Sequence, residues 1–384
     1  MNGIAISVYD KFEEVGVLVD IIRKNWKNNY YISLCSNYPN AKTHIADLDI
    51  DCFIQGADIR YSPKMLWIPR GRTNLVCRVL DTIKKSCTGA IEGGCEYVMH
   101  LHSDAWPLDE NMFLQLIREI KEKKKKIAVR GLGLSYYGQD VPLGHIDDMF
   151  FVFDADYLNK VGFFNYNPIE LFPHKHSPHG ALVLLLLGKI GIKSIYYYSH
   201  HSNLEYWDGK KKILPFERAK PSIFDPYWKF LHVHTAAFPD NLGKSVQAYY
   251  LKKYGITKGV NIQDFIKRYY IPEKELFETL SEIERKQDFR LKLLGFDPVV
   301  FGRDFSRKQE ILSSPIKDKI KMLVMNLAKI PYYRLLDKKD IRIRGLYPDS
   351  LWPNKNIYEY YNEIIQLDDF PEEYSDFWFL EGSK

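Results

Sequence analysis

Apolar positions change their rhythm several times along the chain. Ile4 to Tyr9 (IAISVY) is a short apolar run that reads as a buried strand, and Tyr30 to Cys35 (YYISLC) reads as a second. Between them, from Glu13 to Trp26, Val17, Leu18, Ile21, Ile22 and Trp26 fall on one helical stripe. Asn74 to Lys85 predicts another helix, through Val79, Leu80 and Ile83, which delivers the chain to the stretch CEYVMHLHSDAWPLDENMF, Cys95 to Phe113. There Tyr97, Val98, Met99 and Leu101 predict a strand that polar residues stop. Pro107, Asp109 and Glu110 then suit the entry of a helix starting near Asn111. Strand and helix in alternation predict an α/β fold, a mostly parallel sheet flanked by helices, over residues 1–240. Asp104 would then stand at the carboxyl edge of a strand, where open α/β sheets bind ligands. Its other reading is a cap on the turn that follows.

Further on, Met149 to Phe153 is apolar, and Asp154 is placed to cap a short helix ending at Gly162. Gly180 to Lys189 (GALVLLLLGK) predicts a buried helix, and Phe230 to Thr235 (FLHVHT) alternates as a half-buried strand should. After about residue 240 the texture shifts to helices rich in Lys, Tyr and Glu, so 241–384 is read as a helical carboxyl-terminal region. Within it, Ser313-Ser314-Pro315 opens a helix with Ile316, Ile320, Leu323, Val324 and Leu327 on one stripe; Lys317, Lys319, Lys321 and Lys329 form its basic side, and Pro331 stops it. A solvated basic face and contact with a membrane surface are its two readings.

Composition narrows the class. A 384-residue chain that is 46% hydrophobic and 15% aromatic can fill a substantial core. The net charge of +5 is too small to argue for nucleic acid, although it tolerates phosphorylated ligands. All five cysteines (Cys35, Cys52, Cys77, Cys87 and Cys95) lie in the first quarter without a Cys-x-x-Cys pair. That predicts reduced thiols and a cytoplasmic chain. The amino-terminal residues lack a signal-peptide pattern, and the longest apolar run, Ala181 to Leu187, falls short of the roughly 20 residues that span a bilayer.

Four segments taken in order, IAISVY, PRGRTN before a helix, YVMHLHSDAWPLD at a strand end and MFFVFDADYLNKVGFFNYN, resemble the GT-A glycosyltransferases, particularly the family 2-like group. The resemblance covers roughly the first 200 to 240 residues. It implies a Rossmann-like GT-A domain, a nucleotide-diphospho-sugar donor, a glycan or lipid-linked acceptor and a divalent Mn²⁺ or Mg²⁺. It puts His102-Ser103-Asp104 in the place of the family's Asp-x-Asp motif, with Asp104 retained as metal ligand and His102 standing where the first aspartate would be. His234 or His232, in FLHVHT, could complete the metal shell; surface histidines along one wet strand face are the other reading of that segment. Arg70, Arg72 and Asn74 would lie near the nucleotide, since guanidinium groups and a helix start both suit diphosphate. A solvated connector with Asn74 as helix cap is equally compatible with that segment.

The base is expected among acidic residues or histidines further along. Asp148 sits in GHIDDMFF just before a strand; Glu170 and His179 lie at or near the head of the Gly180 helix, where the family commonly carries an acidic base. The true Asp-x-Asp, Asp154-Ala155-Asp156, reads as a helix cap instead. Peripheral contact with the inner face of a membrane through the basic carboxyl-terminal helices completes the expectations. A sugar nucleotidyltransferase and a non-catalytic sugar- or lipid-binding relative are the alternatives. The first normally needs a glycine-rich basic loop after the first strand, where this chain has only Lys11.

Overall fold

The computed structural model describes residues 1–59, 70–131, 134–136, 139–141, 146–171, 178–191, 194–198, 224–225, 227–233, 235, 238, 241–295, 308, 312–313, 315–317 and 319–320; at 70–74, 146–147, 170–171 and 179–180, among others, it describes the backbone alone. In chain order the first elements are β1 (Gly3–Val8), α1 (Phe12–Asp20), β2 (Tyr31–Ser36), α2 (Ala41–His44), β3 (Cys52–Gln55), α3 (Arg70–Glu92), β4 (Tyr97–His102) and β5 (Ala105–Pro107). Then come α4 (Asn111–Glu122), β6 (Ile127–Gly131), β7 (Leu134–Tyr136), β8 (Gln139–Val141), β9 (Ile146–Asp154), α5 (Ala155–Lys160), α6 (Pro168–Leu171), α7 (Pro178–Leu185) and β10 (Ile195–Tyr198). The last are β11 (Phe224–Asp225), β12 (Phe230–His232), α8 (Leu242–Lys253), α9 (Val260–Tyr269) and α10 (Glu273–Leu293).

The expected α/β architecture is present. Seven strands form one sheet in the order β10-β6-β9-β4-β1-β2-β3. Every neighbour pair is parallel except those of β9, which runs against both β4 and β6. β1 and β4 lie side by side at the centre and are buried almost throughout, which suits a sheet covered on both faces. From β1 the chain moves outward to β2 and β3, then returns to place β4 on the other side of β1. The topological switch therefore falls between β1 and β4, and their carboxyl ends form the crevice that such a switch opens.

Helix positions follow from apolar spacing and close approach. α4 turns Met112, Phe113, Leu116, Ile117 and Ile120 inward. α3 runs against β1 and β2, and Gly89 permits it: a Cβ there would run into Ser33 Oγ and Ile54 Cδ1. Asp154 Oδ1 accepts the Tyr157 N–H at 3.0 Å, and Gly162 ends that turn with φ +61°, so DAD is a helix cap as its spacing predicts.

Two segments depart from their sequence readings. Trp106 and Pro107 do not enter a helix; they belong to β5, which pairs antiparallel with β12 in a small three-stranded sheet of order β11-β12-β5. Pro107 is tolerated because β5 is an edge strand of that sheet. Phe230, Leu231 and His232 are consequently all buried, so FLHVHT does not carry a wet face along β12. Arg70 to Asn74 likewise form the first turn of α3 rather than a loop ahead of it.

Packing is continuous across residue 240. Ile4, Leu34, Met99 and Phe113 belong to the same buried cluster as Val246, Tyr250, Ile262, Phe265, Leu276 and Leu280 of the helices that follow β12. No helix among the described residues is long and apolar enough to cross a membrane.

Candidate functional site

The carboxyl ends of β1, β4 and β6 and the amino end of antiparallel β9 meet along one sheet edge. At its centre Lys11, just past β1, reaches across the switch point to Asp104 in the turn after β4, with Nζ 2.6 Å from Oδ2. The turn is held down by the Ser103 N–H donating to the Ser7 carbonyl at 3.1 Å and by Trp106 Nε1 donating to the Ser103 carbonyl at 2.7 Å. Asp104 thus has a charge partner, and no helix follows it directly, because β5 comes next. Its side chain is 8% exposed and that of Lys11 is 29% exposed, so the lysine is the more open member of the pair.

Histidines line the floor. His102 is in register with Ser7, and its Nε2 is buried without a hydrogen-bond partner. One pleat deeper, His100 is fully buried, its Nε2 3.0 Å from Ser7 Oγ and its ring stacked on Phe151 with centroids 4.7 Å apart. Burial, then the neighbouring His102, hold the His100 pKa well below the usual imidazole value, against an opposing pull from Asp148. His100 is thus a neutral imidazole in the sheet interior. His232 of β12 is in register with Ala105, which brings it, buried, one residue from Asp104 along the paired strands.

Asp148 is buried within β9, two residues before Phe150, rather than ahead of the strand. Arg130, near the end of β6, is also buried, with its guanidinium carbon 5.2 Å from the centroid of the Phe230 ring. The ring centroids of Phe230 and Phe150 are themselves 5.2 Å apart, so the β6 end and the small sheet are tied together through these rings. Sequence reasoning missed Arg130 and His100. Both sit inside runs that look like plain strand, and only a charged or polar residue among apolar neighbours marks them.

On the other side of Lys11 the edge is aromatic. Phe12 stacks on His44 with centroids 4.7 Å apart and planes 3° apart, and Tyr38 meets Phe12, Tyr9 and His44 edge-on at 5.5, 5.5 and 5.6 Å. Asp81 of α3 fastens the β2 and β3 ends beside this group, accepting from Asn37 Nδ2 at 2.8 Å and from the Ala57 N–H at 2.9 Å. Arg78, on the same helix, lies over the Tyr9 ring at 5.3 Å. The edge thus combines a flat aromatic platform, a cation at the switch point and a polar floor. That combination can take a ring, an anion and a hydroxyl-rich group in sequence.

The structure brings Asp104, His102 and Asp148 to this edge. The amino-terminal turn of α3 carries Arg70, Arg72 and Asn74, and Glu170 and His179 lie on α6 and α7, but the side chains of these five lie outside the described residues. His234 lies outside them altogether. A divalent ion does not fit what is described. Mg²⁺ and Mn²⁺ want several oxygen ligands. Among the described residues no three His, Cys, Asp or Glu side chains converge on a point, and the Lys11 ammonium already lies on Asp104 Oδ2.

No protein-family model and no curated protein matches the chain. Among solved structures, the chain is similar to apo mouse xyloside xylosyltransferase 1, at 10% identity and TM-score 0.36 over 61% of this chain and 98% of that one. It is similar to a cytidylyltransferase from Leptospira borgpetersenii serovar Hardjo-bovis at 11% identity and TM-score 0.37, over 71% of this chain and 98% of that one. It is also similar to the apo bifunctional glycosyltransferase WbbM at 11% identity and TM-score 0.32, over 54% of this chain and 39% of that one. The functional reading below therefore rests on the sheet edge itself.

Proposed function

We propose that the chain is a GT-A-type glycosyltransferase that moves a sugar from a nucleotide-diphospho-sugar to a glycan or lipid-linked acceptor. The observation that carries this reading is the Lys11–Asp104 pair astride the switch point, with the Phe12, His44 and Tyr38 rings on one side and the buried His232 and Asp148 on the other. The aromatic platform suits a nucleotide base, the cation suits a diphosphate, and the polar floor leaves the sugar facing β5, β9 and β12.

In the reaction an acceptor oxygen forms a bond to the anomeric carbon while the bond from that carbon to the diphosphate oxygen breaks. The leaving nucleoside diphosphate takes the electron pair. Lys11 would meet the charge that builds there, and the amino-terminal turn of α3, to which Arg70, Arg72 and Asn74 belong, would offer backbone N–H groups to the same phosphates. The acceptor proton passes to a base, for which Asp148, Glu170 and His179 are the candidates; Asp148 has a described place on this edge.

One observation favours a second reading. Lys11, the single basic residue after β1, stands on the strand-end aspartate at the point where a nucleotidyltransferase would carry its basic loop. Product analysis over a panel of nucleotide sugars with glycan acceptors, and of nucleoside triphosphates with sugar phosphates, decides between them. Release of nucleoside diphosphate supports sugar transfer. Pyrophosphate release replaces it with nucleotidyl transfer, and neither product, with nucleotide still bound, leaves a binding protein.

A further inference from the structure

We propose that Lys11 is the built-in cation of this site, so that the chain binds nucleoside diphosphate without a divalent metal. The inference deepens the donor reading above and rests on it. Three observations converge. The ammonium already lies 2.6 Å from Asp104, the carboxylate in the turn after β4 that a metal would be expected to use. No three ligating side chains converge anywhere among the described residues. The pair is also unequal in exposure, the Asp104 side chain at 8% and the Lys11 side chain at 29%, so an anion arriving from solvent meets the lysine side chain before the carboxylate.

This arrangement gives Asp104 a defined task. An ammonium has three N–H donors, and Asp104 takes one, leaving two for oxygens on successive phosphates. Held by a buried carboxylate in a turn whose backbone the Ser103 and Trp106 hydrogen bonds fix, the lysine loses less freedom on binding than an unanchored one would. A divalent ion seated on Asp104 would have to displace Lys11 from it. His102, two residues before Asp104, adds no carboxylate charge that would favour that exchange. The aspartate is therefore a positioning residue for the lysine, and the lysine is the phosphate ligand.

Calorimetry on the full chain with ADP, CDP, GDP, UDP and dTDP, each in EDTA and each in Mn²⁺, tests this. At least one diphosphate should bind in EDTA, with Mn²⁺ changing its affinity by less than about threefold. Lys11→Met should weaken that binding about tenfold or more, as loss of a charge-assisted phosphate contact does, and Lys11→Arg should restore part of it. Asp104→Asn gives the opposite sign from a metal site. Asparagine keeps an oxygen that still holds Nζ while a negative charge beside the phosphates is removed, so metal-free binding should be kept or tightened, whereas loss of an anchoring ligand would abolish metal-dependent binding. Thermal melts of the three variants establish that each is folded. Binding that appears only with Mn²⁺, or that Asp104→Asn removes, overturns the inference and leaves the donor reading standing. Absence of binding for every diphosphate in both conditions overturns both.

Discussion

Asp20, at the end of α1, caps a helix 240 residues further along the chain. Its Oδ2 accepts the backbone N–H of Asn261 at 2.8 Å and of Ile262 at 3.3 Å, at the start of α9. Gly259 makes the approach possible: its φ is +118°, and a Cβ there would overlap the Asp20 carboxyl. The helices after β12 are thus bound to the helix that follows β1 by a capping contact as well as by the shared core.

Removing that contact has a measurable cost. Asp20→Ala should destabilise the chain by about 1–2 kcal/mol, the range for a lost cap with its N–H groups left buried. Asp20→Asn, which keeps an acceptor oxygen, should cost less. Gly259→Ala should cost more than Asp20→Asn, because it strains the backbone and pushes the cap away. Urea denaturation of the three variants checks the order; an Asp20→Ala midpoint equal to the parent's would show that Oδ2 is not an effective cap.

His100 makes stability depend on pH in one direction. Its folded pKa lies below the unfolded value, chiefly through burial, so the unfolded chain takes up its proton first as pH falls. Its contribution is fully present above about pH 6.5 and is lost as pH drops below that, at up to about 1.4 kcal/mol per pH unit. His100→Gln cannot titrate and keeps a polar end near Ser7 Oγ. Denaturation at pH 7 and pH 5 should show the parent losing more stability than His100→Gln. Equal losses would mean that the folded sheet accepts the proton.

The sheet was largely legible from sequence and the site only partly, for physical reasons. Strands β1, β2 and β4 and helices α1 and α4 declare themselves because burial on a fixed period leaves an apolar pattern. Asp104 was legible for the same reason, since a polar break after a buried strand marks the ligand edge. Trp106-Pro107 misled because proline suits both a helix start and an edge strand, and only the pairing with β12 decides. The burial of His232 depends on that pairing too. The Lys11–Asp104 bridge joins residues 93 apart, so no local window holds it; what brings them together is the crossover placing β4 beside β1.

Thiol chemistry checks the burial of the core. Burial pushes Cys35 up to about 12 and Cys77 and Cys95 up to about 11, and holds Cys87 well above the ordinary thiol value. Cys52 alone of the five is not buried. Because the thiolate is the reactive form, a disulfide reagent at pH 8 should modify Cys52 quickly and the other four only on unfolding. Cys52→Ser should abolish the fast phase. Rapid labelling of several thiols in the native chain would show that α3 does not stay closed over β1 and β2.

The helices after β12 carry the remaining expectation, contact with a membrane surface. Phe289 and Leu293 lie one turn apart on α10 and are 63% and 71% exposed, and Ile316 and Ile320 repeat the spacing at 75% and 58%. Arg285, Lys286, Arg290 and Lys292 crowd the same end of α10, and Lys317 accompanies the second pair. Exposed apolar residues set among basic ones suit an anionic lipid surface, where each basic side chain adds about 1 kcal/mol and the apolar ones enter the headgroup boundary. The chain should therefore sediment with vesicles containing phosphatidylserine and much less with phosphatidylcholine alone. High salt should release most of it, because the electrostatic part is screened. Phe289→Glu with Leu293→Glu should weaken binding even at low salt, while Lys274→Glu, at the opposite end of α10, should leave it near the parental level. A chain that ignores both kinds of vesicle would show that these apolar pairs do not serve a lipid surface.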